Sequence, residues 1–155
     1  AYERIPNFAG VKYTHTDLLG FQWLLQACGG QLQVFYGIDE HLLAAWALGG
    51  QAAVGSGYNF ATPLFYRLWQ AAEKGDLQAA RREQWRAARL IRQMMSLGYL
   101  ASAKELVRLR GVDLGPVRLP LQNLSPEQAA ELRRFVTEEG LEHYWGSNGQ
   151  HLGTR

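Results

Sequence analysis

Phe8-Ala9-Gly10-Val11-Lys12-Tyr13-Thr14 is a short apolar strand pattern interrupted by a single charge. The residues that follow it, Thr16-Asp17-Leu18-Leu19-Gly20-Phe21-Gln22-Trp23-Leu24-Leu25, place Leu18, Phe21 and Leu25 at helical spacing. Thr16 is the expected N-cap, and Gly29-Gly30 closes the helix. The unit then recurs. Gln33-Val34-Phe35-Tyr36-Gly37 reads as a second strand, Asp39 and Glu40 lie at the turn, and Leu42 to Leu48 reads as a helix ending at Gly49-Gly50. Ala52-Ala53-Val54-Gly55-Ser56 reads as a third apolar segment, followed by Thr62-Pro63 as N-cap and first helical residue of a helix reaching Gly75. Three strand–helix units without hairpin signals predict an α/β fold with parallel strands apolar on both faces.

The second half is helical only. Asp76 starts a long pattern through Leu77, Ala80, Trp85, Ala88, Ile91 and Met95 to Gly98, and a further helix runs from about Ala101 to Arg110. Pro116 to Leu121 reads as extended, and Ser125-Pro126-Glu127-Gln128 as a capping box opening a helix that ends at Gly140. The expected division is 1–75 for the strand–helix units, 76–145 for a helical extension, and 146–155 for a loose polar tail.

The chain has 155 residues, a net charge of +2, 47% apolar and 12% aromatic residues, which is ordinary globular composition. So small a charge gives no argument for nucleic-acid binding. The basic residues are lopsided, 13 Arg against Lys12, Lys74 and Lys104 alone, so each lysine's setting is informative. A single cysteine, Cys28, excludes an intrachain disulfide and a cysteine-based zinc site, fits a reducing, cytoplasmic location, and reads as a packed small residue. No run of about 18 apolar residues exists, so no membrane span is expected. Ala1 to Pro6 lacks a basic stretch before an apolar core, so no signal peptide is expected.

Three strand ends carry the candidate chemistry. An ammonium within an apolar strand costs free energy, and burial favours the neutral amine, the nucleophile that attacks a ketone to form a Schiff base. Alternatively, Lys12 snorkels to water from a strand edge. Asp39 and Glu40 follow the second strand, at the edge where parallel folds bind ligands, yet acidic residues there also complement a helix dipole. Gly55-Ser56-Gly57 presents a small hydroxyl at the third strand end. Convergence of the three on one edge favours a site. Arg81, Arg82, Arg86, Arg89 and Arg92 read as a solvated or interface face of one helix, and Phe65, Trp69 and Trp85 as core or interface packing. His15, His41, His143 and His151 form no metal-ligand pattern, and phosphate-binding glycine loops and a Gly-x-Ser-x-Gly elbow are missing.

Gly10 to Leu18, Phe35-Tyr36-Gly37-Ile38-Asp39-Glu40 and Val54-Gly55-Ser56-Gly57-Tyr58-Asn59 together resemble three successive strand ends of the N-acetylneuraminate lyase / dihydrodipicolinate synthase family, with agreeing spacing. Arg118-Leu119-Pro120 resembles that family's C-terminal segment. The resemblance covers Ile5 to about Gly140. Within the family, Gly37-x-Asp39-Glu40 and Gly55-Ser56-x-Tyr58-Asn59 are similar to the lyase branch.

The resemblance implies a (β/α)8 barrel fold and a pyruvate-dependent aldolase that cleaves a keto-sugar acid such as N-acetylneuraminate. Lys12 would be the Schiff-base residue. Thr14, Gly37, Asp39, Glu40 and Ser56 would bind the sugar portion, and Val54 would lie beside the pyruvate unit. It implies no metal or organic cofactor, and a homo-oligomer, a tetramer in this family. Tyr58-Asn59 also resembles the family's Tyr-Asn-x-Pro motif, but that motif belongs to the strand before the Lys strand, so its catalytic role is not carried to Tyr58. A complete barrel typically needs about 250 residues. The resemblance therefore assigns these residues to the last three strand–helix units and the C-terminal helices. The remaining barrel half would come from further chain, a separate fragment or another copy. Two other readings stay open: a family aldolase acting on a 2-keto-3-deoxy sugar acid, and a non-catalytic half-barrel assembly module.

Overall fold

A computed structural model gives the architecture and describes residues 4–144. The segment 146–155, expected to be loose, lies outside the described residues, as does the side chain of Cys28. The chain forms two compact units. Among the described residues, the first holds 4–55 and 67–85, the second 56–66 and 86–144.

The first unit is built on three short strands, β1 (Gly10–Tyr13), β2 (Gln33–Tyr36) and β3 (Ala52–Ala53). They pair in parallel in the order β1-β2-β3, with Lys12 opposite Phe35 and Phe35 opposite Ala52. Helix α1 (Leu18–Gln26) connects the first pair, and α2 (Leu42–Ala47) the second. Successive strand residues face opposite sides of a sheet. Val34 and Tyr36 are buried with Phe21, Leu32 and Ala45, and Val11, Tyr13 and Leu18 pack against that cluster. The ring of Phe21 meets Tyr36 edge-on at 4.8 Å between centroids. Lys12, Thr14 and Gln33, from the alternate positions, are exposed. Among the described residues, β1 and β3 each pair along one edge only.

Two helix starts differ from the sequence reading. Asp17, not Thr16, caps α1: its carboxylate accepts from the Gly20 N–H at 3.0 Å, the orphan donor three residues on. Helix α3 spans Tyr58–Glu73 and begins before Thr62-Pro63, with a break in helical geometry at Ala61. Thr62 does not cap; its hydroxyl donates back to the Tyr58 carbonyl. Pro63 lacks the N–H that would continue the turn, so the break falls just before it.

In the second unit, α4 (Leu77–Leu97) continues from Arg86, followed by α5 (Tyr99–Leu109) and α6 (Pro126–Glu138). The capping box at Ser125 forms as expected. Ser125 Oγ accepts from Gln128 N–H at 3.2 Å, and Gln128 Oε1 accepts from Ser125 N–H at 2.9 Å. Leu90, Met94, Leu106, Leu132 and Val136 are buried. Ser102 Oγ of α5 donates to the Met94 carbonyl of α4. Glu105 accepts from Arg108 at 2.7 Å and from Arg133 of α6 at 2.8 Å. Lys104 donates to the carbonyls of Leu114, Gly115 and Pro116, which assigns one of the three lysines to pinning a loop. Phe65 is buried, whereas Trp85 of the first unit, read as core or interface packing, is 61% exposed.

Leu132→Ala, at a fully buried position of α6, is expected to lower the unfolding free energy by about 2–5 kcal/mol in urea denaturation. The Arg108 hydrogen bond, and then the charges of Arg108 and Arg133, hold the Glu105 carboxyl below its ordinary value of 4.5 against the opposing effect of burial. A carboxyl depressed on folding stabilises the fold above its unfolded value, and that contribution fades as pH falls through the folded one. Both arginines are more than two-fifths exposed, so the effect is small, about 1 kcal/mol or less. Melting temperatures measured from pH 6 down to pH 3 should converge for the wild type and Glu105→Gln, with the wild type the more stable above pH 5.

Candidate active site at the carboxyl ends of the strands

Lys12 stands on the sheet face opposite the α1 side, two residues before Thr14 on the same face. Gly37 N–H donates to the Tyr13 carbonyl at 2.9 Å, and Val54 N–H to the Tyr36 carbonyl at 2.9 Å. These bonds extend both ladders by one residue, so Thr14, Gly37 and Val54 sit side by side at the carboxyl edge. A Cβ at Gly37 would lie 2.9 Å from Lys12 Cε and would overlap Thr14 Oγ1. Glycine there leaves room for the Lys12 arm and the Thr14 hydroxyl in the positions they occupy. Lys12 is exposed and Val54 is 42% exposed. The lysine therefore reaches open space across an apolar strand rather than being sealed within it.

Asp39 and Glu40 occupy a short 3-10 turn, Asp39–His41, that runs into α2. The two carboxylates have different settings. Asp39 is 5% exposed, and a Cβ on Gly55 would fall onto its Oδ1, so the carboxylate occupies the space a side chain at 55 would take. Glu40 is half-buried. Burial, then Tyr13 and Glu40, push the Tyr36 phenol above its ordinary range, so it stays neutral. Its hydroxyl lies 3.4 Å from His41 Nδ1 and donates to the His15 carbonyl.

Ser56 belongs to the second unit and is described with it. Its hydroxyl is 2.8 Å from the Tyr99 hydroxyl at the start of α5. Tyr99 was not singled out in the sequence; an aromatic hydroxyl directly after Gly98, where a helix begins, was the signal available. Tyr58 packs its ring edge-on against Phe65 at 4.8 Å. Among the described residues, no group of three or more His, Cys, Asp and Glu is arranged to hold a metal ion, and no helix is long and apolar enough to cross a membrane.

Residues 2–139 fit the model of the dihydrodipicolinate synthetase family. The chain belongs to this family. It is 38% identical over 132 residues to the N-acetylneuraminate lyase of Mus musculus, covering 83% of this chain and 41% of that protein. Among solved structures, it is similar to the N-acetylneuraminate lyase (sialic acid aldolase) of Aliivibrio salmonicida, with TM-score 0.87 and 37% identity, covering 91% of this chain and 47% of that one. The N-acetylneuraminate lyase of Proteus mirabilis gives TM-score 0.87 and 33% identity, covering 91% and 48%. The fold is that of the (β/α)8 barrel family, and this chain spans somewhat less than half the length of these relatives.

The fit of Asp39 against Gly55 is open to a double-mutant test. Gly55→Ala is expected to lower the unfolding free energy by about 1–3 kcal/mol through overpacking. In an Asp39→Ala background, the same change should cost markedly less, because the carboxylate no longer fills that space.

Proposed function

We propose that these residues form part of the active site of a Schiff-base pyruvate aldolase that cleaves N-acetylneuraminate to N-acetylmannosamine and pyruvate. The observation that carries this reading is the placement of Lys12: an amine on the open sheet face, beside the Thr14 hydroxyl, with Gly37 leaving its arm clear. Family membership and relatives named as N-acetylneuraminate lyases support it.

In this reading the Lys12 amine attacks C2 of the open-chain keto acid, and loss of water with uptake of one proton gives a protonated imine. The C3–C4 bond then breaks. Its electron pair moves into the imine to leave an enamine, while the C4 hydroxyl gives up its proton and C4 leaves as the aldehyde carbon of N-acetylmannosamine. Protonation of the enamine at C3 and hydrolysis of the imine release pyruvate and restore the amine. The chemistry needs no metal or organic cofactor, because the iminium is itself the electron sink.

Thr14, Gly37, Asp39, Glu40 and Ser56 would bind the sugar portion, and Val54 would border the pyruvate unit. Carboxylates suit vicinal hydroxyls because they accept charge-assisted hydrogen bonds. The pyruvate carboxylate and the travelling proton would be served by the other strands of the barrel, supplied by further chain, a separate fragment or another copy. A homo-oligomer, tetrameric as the resemblance implies, in a reducing cytoplasm and a role in carbohydrate metabolism complete the proposal.

The reading is tested by cleavage assays on N-acetylneuraminate and on a panel of 2-keto-3-deoxy sugar acids, using protein of natural length. N-acetylneuraminate should give the highest kcat/KM, and Lys12→Ala should lose at least about a thousandfold in kcat, the scale expected when a covalent nucleophile is removed. Preference for another keto acid would move the assignment elsewhere in the family. Undiminished cleavage by Lys12→Ala would contradict it.

A further inference from the structure

The acidic turn Asp39–His41 is held from outside its own strand–helix unit. Gln84, half-buried on α4, uses both ends of its amide there. Its Oε1 accepts from the Leu43 N–H at 2.7 Å, and its Nε2 donates to the Asp39 carbonyl at 3.3 Å. Leu43 is the second residue of α2, so its N–H is one of the orphan donors that a helix start leaves without an internal partner. Neither His41 nor Ile38 meets that need, since no side-chain cap forms at either helix start. The Asp39 carbonyl also accepts from the Leu42 N–H, so it sits at the junction of the 3-10 turn and the helix. Only one orientation of the Gln84 amide serves both partners: its oxygen must face the N–H and its nitrogen the carbonyl.

We propose that Gln84 is the positioning residue for the acidic pair, fixing the turn so that Glu40 is presented to the polyhydroxyl part of the substrate while Asp39 stays seated against Gly55. The inference rests on the aldolase reading and deepens it. Both of these hydrogen bonds go to backbone, so Gln84 acts through Glu40 and its loss falls on recognition of the sugar tail. Lys12 lies on a different strand, anchored by its own ladder bonds, and its chemistry is left in place.

Two variants separate the roles of the amide. Gln84→Leu removes both hydrogen bonds, and Gln84→Glu keeps an acceptor for Leu43 while losing the donor to Asp39. For N-acetylneuraminate cleavage, Gln84→Leu should raise KM at least about tenfold with kcat within about threefold. Its Leu43 amide should exchange with deuterium at least about tenfold faster, while the amides of β1 exchange as in the wild type. Gln84→Glu should keep the Leu43 amide protected and show a KM between the other two. An active wild type whose Gln84→Leu variant keeps its KM overturns this inference alone, as does a loss confined to kcat or faster exchange throughout β1. A wild type without cleavage activity contradicts the aldolase reading, and this inference with it.

Discussion

Everything at the candidate site depends on the parallel pairing of β1 with β2. Register and pleat together decide where Lys12 goes. With Val11 and Tyr13 drawn into the cluster around Phe21 and Tyr36, the intervening lysine has no choice but the other face. A slip of one residue would send Lys12 into the apolar side, where an ammonium is costly, and would expose Val11 and Tyr13. The same charge that interrupts the strand pattern therefore helps to specify its register.

Glycines then do what side chains cannot. Gly37 lies where the Lys12 arm and the Thr14 hydroxyl need space, and Gly55 lies where the Asp39 carboxylate is seated. Both follow the strands at their carboxyl ends, so the edge of the sheet is hollowed next to the functional groups. Beyond that hollow, Gln84 ties the acidic turn to α4. The site is thus a set of short-range constraints on short elements: a two-residue strand, a single 3-10 turn and a six-residue helix. Elements this short hold their shape through tertiary hydrogen bonds, since propensity alone is too weak over so few residues.

Much of this was legible from residue order. Alternating strand and helix patterns, glycines closing helices and the Ser125 capping box all express local physics, and they fold as read. Lys12 was conspicuous because a charge inside Gly10–Tyr13 violates the surrounding pattern. What escaped reading depends on partners distant in sequence. Tyr99 meets Ser56 across 43 positions, and Gln84 meets Leu43 across 41, and nothing local marks either pairing. The difference between Asp39 and Glu40 was hidden for the same reason: two adjacent carboxylates look equivalent until Gly55 is placed against one of them. At Thr62-Pro63 the local rule pointed to a helix start, and the backbone had already begun to coil four residues earlier.

The central claim is that Lys12 is the residue that bonds covalently to a keto acid. It is tested most directly by reducing the natural-length protein with borohydride in the presence of pyruvate and mapping the modified peptide by mass spectrometry. The account predicts one adduct, of pyruvate less one oxygen after imine reduction, located on Lys12 and missing when pyruvate is omitted. An adduct on Lys74 or Lys104 instead, or protein left unmodified under conditions where it cleaves substrate, would contradict it.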